Sequence, residues 1–582
     1  MYRPVIDAVS GSLALTALVA MLPLLTLFVL LGVLRMAAWK AALVSLVVSL
    51  VVAIVAYSMP VGQASMAGIE GAVFGFFPIL WIVINAIWVY NMTVVTGHFD
   101  VLRRSFAKVS DDQRIQAVII AFCFGALMEA LAGFGTPVAI TSVMLIALGF
   151  KPIKAAVVAL VANTAPVAFG ALAVPITTLA TVSGLPEHTL SQIVGRQTPL
   201  LALFVPMALV FIIDKGRGVR QTLPATLTCG FAFAIAQFAC SNFVSTQLTD
   251  IVASLVAAAS VVLLLRVWRP AGSYVEAPEV GADVSAAGAS HGSPVGSAPD
   301  RSGAVDTAAV GGSGYPIGLG TPNAAELAER DRQHHDSGSD VFKAYAPYLI
   351  IIVVFSIAQI PVIRDALAAP TKSFQWPGLD LQTASGKPST LPTFKLNWLA
   401  AAGTLMVIAG LITIPVIGIS PAKAFRAYLD TYRQLFAAIV TVMAVLGLAY
   451  VMNSSGQTAT LGTWMAGAGA AFAIFSPILG WLGVAVTGSD TSSNSLFGAL
   501  QVSAAKEVGL SPALMAAANS SGGVLGKMIS PQNLAIAAAA VGMSGKEGEI
   551  VRKIFGWSLG FLAFMCVIVY LQSTSVLSWM LP

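Results

Sequence analysis

Charge is scarce in this 582-residue chain: Asp, Glu, Lys and Arg make up 10% of it, against 57% hydrophobic residues. A soluble globular protein carries about 25% charged residues, so too little charge is present to cover a water-facing surface. The mean hydropathy of +0.85 agrees. A soluble enzyme, a nucleic-acid binder and a disordered scaffold are excluded. Cysteine is scarce too. The four present (Cys123, Cys229, Cys240 and Cys566) lie in apolar runs without CxxC spacing, which argues against a disulfide framework or a metal site and leaves buried, inert thiols. Of five histidines, His291, His334 and His335 fall in one polar stretch, and His98 and His188 at loop positions. Neither a histidine relay nor a metal is indicated, and no cofactor is implied.

What the chain does have is apolar runs of about 20 residues that recur to its end, the length that spans a hydrocarbon core of roughly 30 Å. The expectation is an all-α polytopic membrane protein whose partner is the lipid bilayer. Spans are expected near 13–34, 41–58, 72–95, 153–182, 197–213, 222–241, 248–265, 345–363, 396–418, 434–453, 510–541 and 554–574, or about 12 transmembrane helices. Residues Met1 to Ser12 precede an apolar stretch with no small-residue cleavage site, so that stretch reads as a first span. Two further apolar stretches, 115–150 and 463–505, are interrupted near the middle. The interruptions are Gly133-Phe134-Gly135-Thr136-Pro137 and Thr487-Gly488-Ser489-Asp490-Thr491-Ser492-Ser493-Asn494.

The net charge of +5 hides a segregation. Residues 271–340 hold ten acids and three bases, which leaves sixteen acids and twenty-eight bases elsewhere. Those bases cluster between apolar runs, as the positive-inside rule leads one to expect for cytoplasmic loops. Arg35 and Lys40, then Arg103, Arg104, Lys108 and Arg114, then Lys215, Arg217 and Arg220, then Arg266 and Arg269 mark one side, with both termini outside. Lys423, Arg426 and Arg433, and later Lys546, Arg552 and Lys553, continue the pattern. Loops 59–69, 242–247 and 454–462 carry no positive charge. The alternation works only if 115–150 and 463–505 each enter and leave on one side, the first from the cytoplasm and the second from outside. Both are candidate re-entrant hairpins. Segment 271–340, rich in Gly, Ser, Ala and Pro, cannot offset its ordering entropy by burial. It reads as a disordered cytoplasmic linker between membrane halves 1–270 and 341–582.

Each hairpin is followed by an apolar segment too long for one span, and the two share a pattern. In 153–182, Asn163 and Thr164 precede Gly170 and Pro175; in 510–541, Asn519 and Ser520 precede Gly526 and Pro531, with the same spacing from Asn to Gly to Pro. Gly133-x-x-Thr136 and Gly488-x-x-Thr491 lie at nearly the same distance upstream. With opposed charge orientation this points to an inverted repeat of two hairpins and two broken helices. Unwound backbone at mid-depth is tolerated only inside protein or beside a cavity, and helix N-termini aimed at one spot suit a carboxylate. Such repeats with a midplane site belong to secondary transporters, although Gly and Pro also serve ordinary kinks and close helix packing.

Charges at bilayer depth are costly and usually functional. Glu129, Asp490 and Lys527 stand clearly within apolar sequence, with Arg196 at a span edge. Glu129 and Asp490 are the candidate proton carriers, and Lys527 the counter-charge for a substrate carboxylate or for one of the acids. A structural ion pair is the plain alternative. The hydroxyls and amide of Ser489, Thr491, Ser492, Ser493 and Asn494 suit a small hydroxylated anion, and equally suit helix capping. With Gly133, Gly135, Thr136, Pro137, Asn163, Thr164, Asn519, Ser520 and Lys527 they make up the candidate substrate site.

At these residues the chain resembles the L-lactate permease family. The runs Phe124-Gly-Ala-Leu-Met-Glu129-Ala-Leu-Ala-Gly-Phe-Gly-Thr-Pro-Val-Ala-Ile-Thr141, Asn163-Thr-Ala-Pro-Val-Ala-Phe-Gly170, Gly195-Arg-Gln197, Ser489-Asp-Thr-Ser-Ser-Asn494 and Leu525-Gly-Lys-Met-Ile-Ser-Pro-Gln-Asn533 carry the likeness. It departs in the 271–340 linker and at Thr136, where the family pattern has Ala. The resemblance implies proton-coupled uptake of L-lactate, often with glycolate and D-lactate, across a bacterial cell inner membrane, and kinship with the wider ion-transporter superfamily. It implies no enzyme: no nucleophile stands with a base or a metal cluster in the spans. A sodium-coupled transporter of another organic anion such as a dicarboxylate is the nearest alternative, and a passive channel a further one. Nothing in the sequence fixes an oligomeric state.

Overall fold

The computed structural model describes residues 2–107, 109–110, 112–133, 135–272, 274, 336–382, 389 and 392–582. Most of the expected linker, residues 275–335, lies outside them. Among the described residues, ten helices are long and apolar enough to cross a membrane, or eleven if one bent pair counts as a span. The chain is an all-α multi-pass membrane protein, apart from a short antiparallel hairpin that pairs Lys372–Gln375 with Thr393–Leu396.

Several boundaries differ from expectation for identifiable reasons. The stretch 59–69, expected as a loop, is helical from Val61, because Pro60 sets a helix start and the Ala-rich run that follows has no breaker. Residues 454–462 are likewise mostly helix, Gln457–Met465, with the reversal confined to Gly456 at φ +98°. Lys423, Arg426 and Arg433 lie on a helix, Pro421–Ser455, whose first turn is capped by Ser420, and not in a loop before it. The helix expected at 345–363 spans Gly338–Ala358, set by a capping box of Ser337 and Asp340. The expected span 197–213 is divided: Glu187–Ala202 ends before Phe204, and Val205–Phe243 begins with Pro206 in its first turn. The span expected at 396–418 is the shorter helix Ala402–Ile417.

Helices from both ends of the chain interleave. Leu13–Val33, Ala38–Val55 and Val61–Phe74 pack around Pro421–Ser455 and Gln457–Met465. Trp81–Val95 lies against Ala402–Ile417, where Gly410 faces the Trp88 ring. The larger apolar core runs through the remaining helices of both ends, from Ile79 to Val569. Into that core project the two interrupted stretches. The first is Gln113–Leu131 followed by Thr136–Ala147. The second is Phe472–Thr487 followed by Asp490–Glu507.

The long segments that follow them are broken as the spacing predicts. Pro152–Ala162 ends at Asn163, and Val167–Ser183 continues at a 65° bend. Inside that second part Ala171, Leu172 and Ala173 are all left-handed, with φ of +45° to +59°. Side chains disfavour that conformation by roughly 1–2 kcal/mol each. In the later segment Pro512–Gly526 passes through the tight turn Lys527–Ile529 into Pro531–Ala540, with Ser530 extended and capping the restart.

Candidate functional site

Two polar clusters form where hairpins meet broken helices. In the first, Glu129, on the last turn of Gln113–Leu131, accepts from Lys527 Nζ at 2.6 Å on Oε1 and from Asn163 Nδ2 at 2.9 Å on Oε2. One hairpin and both broken helices thus meet at a single carboxylate. The pair is well buried, with side-chain exposures of 8% for Lys527 and 4% for Glu129. Gly170 makes room for it, since a Cβ there would stand 2.7 Å from Glu129 Oε1.

In the second cluster, Asp490 Oδ2 accepts from Ser520 Oγ at 2.6 Å and from Asn494 Nδ2 at 3.3 Å. Asn519 Nδ2 donates to Asn494 Oδ1 at 2.9 Å, and Asn494 Nδ2 reaches the Pro175 carbonyl of the first broken helix at 3.1 Å. Here too a glycine faces the acid: a Cβ on Gly523 would lie 2.3 Å from Asp490 Oδ1. Lys527 is near enough for its charge to act on Asp490 as well. The glycine that shares the spacing of Gly170, Gly526, faces Trp481 and Ala485 instead, so the second acid is met by a different position of its broken helix.

The tips converge on a third element. Gly135, at φ +84°, would bring a Cβ to within 2.4 Å of Ile536, and Gly488, at φ +76°, to within 2.6 Å of Gln532 Oε1. Both tips therefore abut Pro531–Ala540 and need glycine for the turn as well as for the approach. Beside the first tip Val138, Leu160, Asn163, Thr164, Lys527, Met528 and Asn533 line a narrow, closely packed crevice. Asn163 Oδ1 and Asp490 Oδ1 accept no hydrogen bond from any described residue.

Not every candidate turns towards these clusters. Ser493 Oγ donates to the Gly480 carbonyl, Ser489 caps its helix through the Ser492 amide, and Thr491 offers its carbonyl to Ser495. These contacts are capping and packing. Thr164 lines the crevice but donates its hydroxyl to Val161 on its own helix. Gly133, Thr136 and Pro137 shape the first tip, where Gly133 is left-handed and Pro137 stands in the first turn of the returning helix.

Glu129, Asp490 and Lys527 are not the whole set of buried charges. Glu70, Asp250 and Arg114 are buried to 2% exposure or less. Sequence reading passed over them because Glu70 fell between the loop 59–69 and the span 72–95, Asp250 at the very start of the span 248–265 and Arg114 among loop bases. It missed Gln197 as a link: Ser521 Oγ donates to Gln197 Oε1 at 2.6 Å, and Gln197 Nε2 donates to Gln572 Oε1 at 2.7 Å, joining the second broken helix to the last helix. Gln197 and Asn533 both lie in runs singled out for their family likeness, the one signal that could have found them. All four cysteines are buried thiols.

A family model described as L-lactate permease matches residues 16–299 and 318–576. The L-lactate permease of Bacillus subtilis (strain 168) is 39% identical over 99% of this chain and 98% of its own length. The glycolate permease GlcA of Escherichia coli (strain K12) is 40% identical over 98% and 97%, and that strain's L-lactate permease 38% identical over 98% of both. Among solved structures, the MtrF efflux pump of Neisseria gonorrhoeae aligns with a TM-score of 0.44 at 12% identity, covering 86% of this chain and 83% of that one. The YdaH transporter of Alcanivorax borkumensis aligns at 0.40 and 15%, covering 86% of both. Those two likenesses are too loose to carry over any residue's role.

Proposed function

Because the chain belongs to the L-lactate permease family, whose members are transporters and not enzymes, we propose that it carries L-lactate, glycolate and related 2-hydroxymonocarboxylates, each with a proton, across a bacterial inner membrane. The printed names of its relatives support the substrate class. The observation that carries the coupling is the buried Glu129–Lys527 ion pair, which joins a hairpin to both broken helices.

The physical argument runs through that pair. A substrate carboxylate entering the crevice competes with Glu129 for the Lys527 ammonium. Its hydroxyl finds an acceptor in Asn163 Oδ1 or Asp490 Oδ1, neither of which takes a bond from the described protein. Glu129, stripped of its counter-charge where water is scarce, is relieved by taking up a proton. Proton and monoanion then move together without net charge, so uptake follows the pH gradient. A dicarboxylate would need more fixed positive charge than Lys527 supplies. In this reading 115–150 and 463–505 are re-entrant hairpins of an inverted repeat entering from opposite faces. The ten or eleven candidate spans include arms of both, residues 271–340 are a cytoplasmic linker, and the tips with Asn163 and Asn519 form a site that opens to each side in turn.

Purified protein in sodium-free liposomes with labelled L-lactate outside and an inward pH gradient tests this. The expected result is transient accumulation above equilibrium that a protonophore abolishes. Uptake that waits for sodium would refute proton coupling, and simple equilibration would make the protein a channel.

A further inference from the structure

Asp250 opens the helix Thr249–Val267 and is completely buried. Its Oδ1 accepts from Gln237 Nε2 at 2.8 Å, and Gln237 in turn accepts from Thr198. Its Oδ2 is buried and accepts from no described residue, and no ion pair of Asp250 occurs among the described residues. The groups around it are Gln237 and Cys240 on Val205–Phe243 and Glu129 on the first hairpin, whose carboxyl is near enough for the two acids to feel each other's charge. The two acids are equipped differently: Glu129 has an ammonium and an amide, Asp250 a single amide. Lys527 is bonded to Glu129 and not to Asp250, and a carboxyl buried with one amide and no cation is cheapest in its neutral form. A proton thus rests on the acid without the cation.

Depth gives the direction. Thr249–Val267 packs along the Val118–Leu131 part of Gln113–Leu131, which carries Glu129. Glu129 stands fifteen residues from Arg114 and Asp250 sixteen from Arg266, so both acids are roughly 22–24 Å from the basic ends of their helices. By the positive-inside reading those ends are cytoplasmic. Asp250 is then one turn from the base-free connection 244–248, where Gln247 Nε2 donates to the half-buried Glu187 at 2.7 Å. Gln247 and Glu187 thus mark the outer edge, one turn from Asp250.

We infer that Asp250 is the proton donor to Glu129: its carboxyl O–H bond breaks as substrate draws Lys527 away, the proton passes to the Glu129 carboxylate, and the Asp250 carboxylate left behind is reprotonated from the outer face. This deepens the proton-coupling reading and rests on it. An acid that merely completes a helix start would support folding but would not separate drive from exchange.

The test uses full-length protein in liposomes as wild type, Asp250→Asn, and Asp250→Ser in case the amide does not fold, with Asp250→Glu as the conservative rescue. Two assays are read side by side: accumulation of labelled L-lactate on a pH gradient, and exchange of labelled for unlabelled lactate at equal pH. Loss of the donor is expected to reduce gradient-driven accumulation by about tenfold or more, while exchange stays within about twofold and Asp250→Glu restores the drive. A variant that accumulates like wild type overturns the role of Asp250. So does one that loses both assays in parallel, or a failure of rescue by Glu. A wild type that does not respond to the pH gradient overturns the coupling reading itself, and is told apart because no variant is needed to see it.

Discussion

If Glu129 and Lys527 hold each other's charge, removing one should harm the fold more than removing both. Glu129→Gln leaves the Lys527 ammonium buried with no carboxylate at 2.6 Å, and Lys527→Met leaves a buried carboxylate with Asn163 as its one donor. Breaking a buried pair from one side costs roughly 3–5 kcal/mol, whereas replacing both partners by neutral groups of similar size is often neutral or mildly stabilising. With exposures of 8% and 4%, little solvent is available to soften either single change. Glu129→Gln should be the milder of the two, because the stranded ammonium still feels Asp490, whose Oδ1 is free to accept. The double variant should recover most of the loss, giving a coupling energy of about 5 kcal/mol or more, above the range of about 0.5–3 kcal/mol that contacting residues usually show. Thermal unfolding of the four purified proteins in one detergent, at one pH and ionic strength, provides the cycle. All three variants should lose gradient-driven lactate uptake, so that stability and transport part company in the double. Stability losses that simply add would refute the reasoning, since the two side chains would then not be compensating each other.

Three further outcomes follow from the geometry. Gly523→Ala places a methyl group 2.3 Å from Asp490 Oδ1 and 2.9 Å from Val484, so it should cost about 1–3 kcal/mol by overpacking and slow uptake. Gly216→Ala, with nothing within 4 Å, is the control, and equal behaviour of the two would count against the second cluster. Ser521→Ala removes the donor to Gln197 and should lower stability by about 1 kcal/mol, with exchange kinetics altered more than affinity; an unchanged melting curve would refute it. Arg114→Gln, which breaks contacts to Asp112 at 2.7 Å and Asp214 at 2.8 Å, should cost roughly 3 kcal/mol or more, read as a lower melting midpoint in the same detergent.

How much of this was legible beforehand depended on whether the signal was local. Long apolar runs and Gly or Pro breaks act within a few residues, so the interrupted stretches and both broken helices stood out in the sequence. Glu129 and Lys527 stood out because charge at that depth is conspicuous, but their mutual contact joins positions 398 residues apart and no spacing encodes it. The helix beginning at Val61 read as a loop because the low hydropathy of its Gly, Ala and Ser resembles exposure, when it reflects small residues packed against other helices; the one beginning at Gln457 did so for its polar residues, of which Gln457 bonds to Ser49. Asp250 was lost for a related reason: a residue at the edge of a polar connection looks solvated until a neighbouring helix covers it. The tip hydroxyls were judged by type, and only their partners separate capping from contact with the crevice.

The described chain on either side of residues 275–335 is anchored by side chains. Gly272 offers its carbonyl to Arg114, Tyr274 lies under the Arg114 guanidinium, and Asp336 is held by Arg104 at 2.5 Å and 3.0 Å. None of these bonds runs through residues 275–335, and both anchors, Arg104 and Arg114, are on the same short segment, between His98 and Ala117. The polypeptide connection there is thus redundant with the side-chain one. A gene cut between those points should yield two fragments that find each other in the membrane, held by contacts such as Lys527 to Glu129 and Gln572 to Gln197. The same position would accept a fluorescent or affinity module without asking the transport machinery to rearrange.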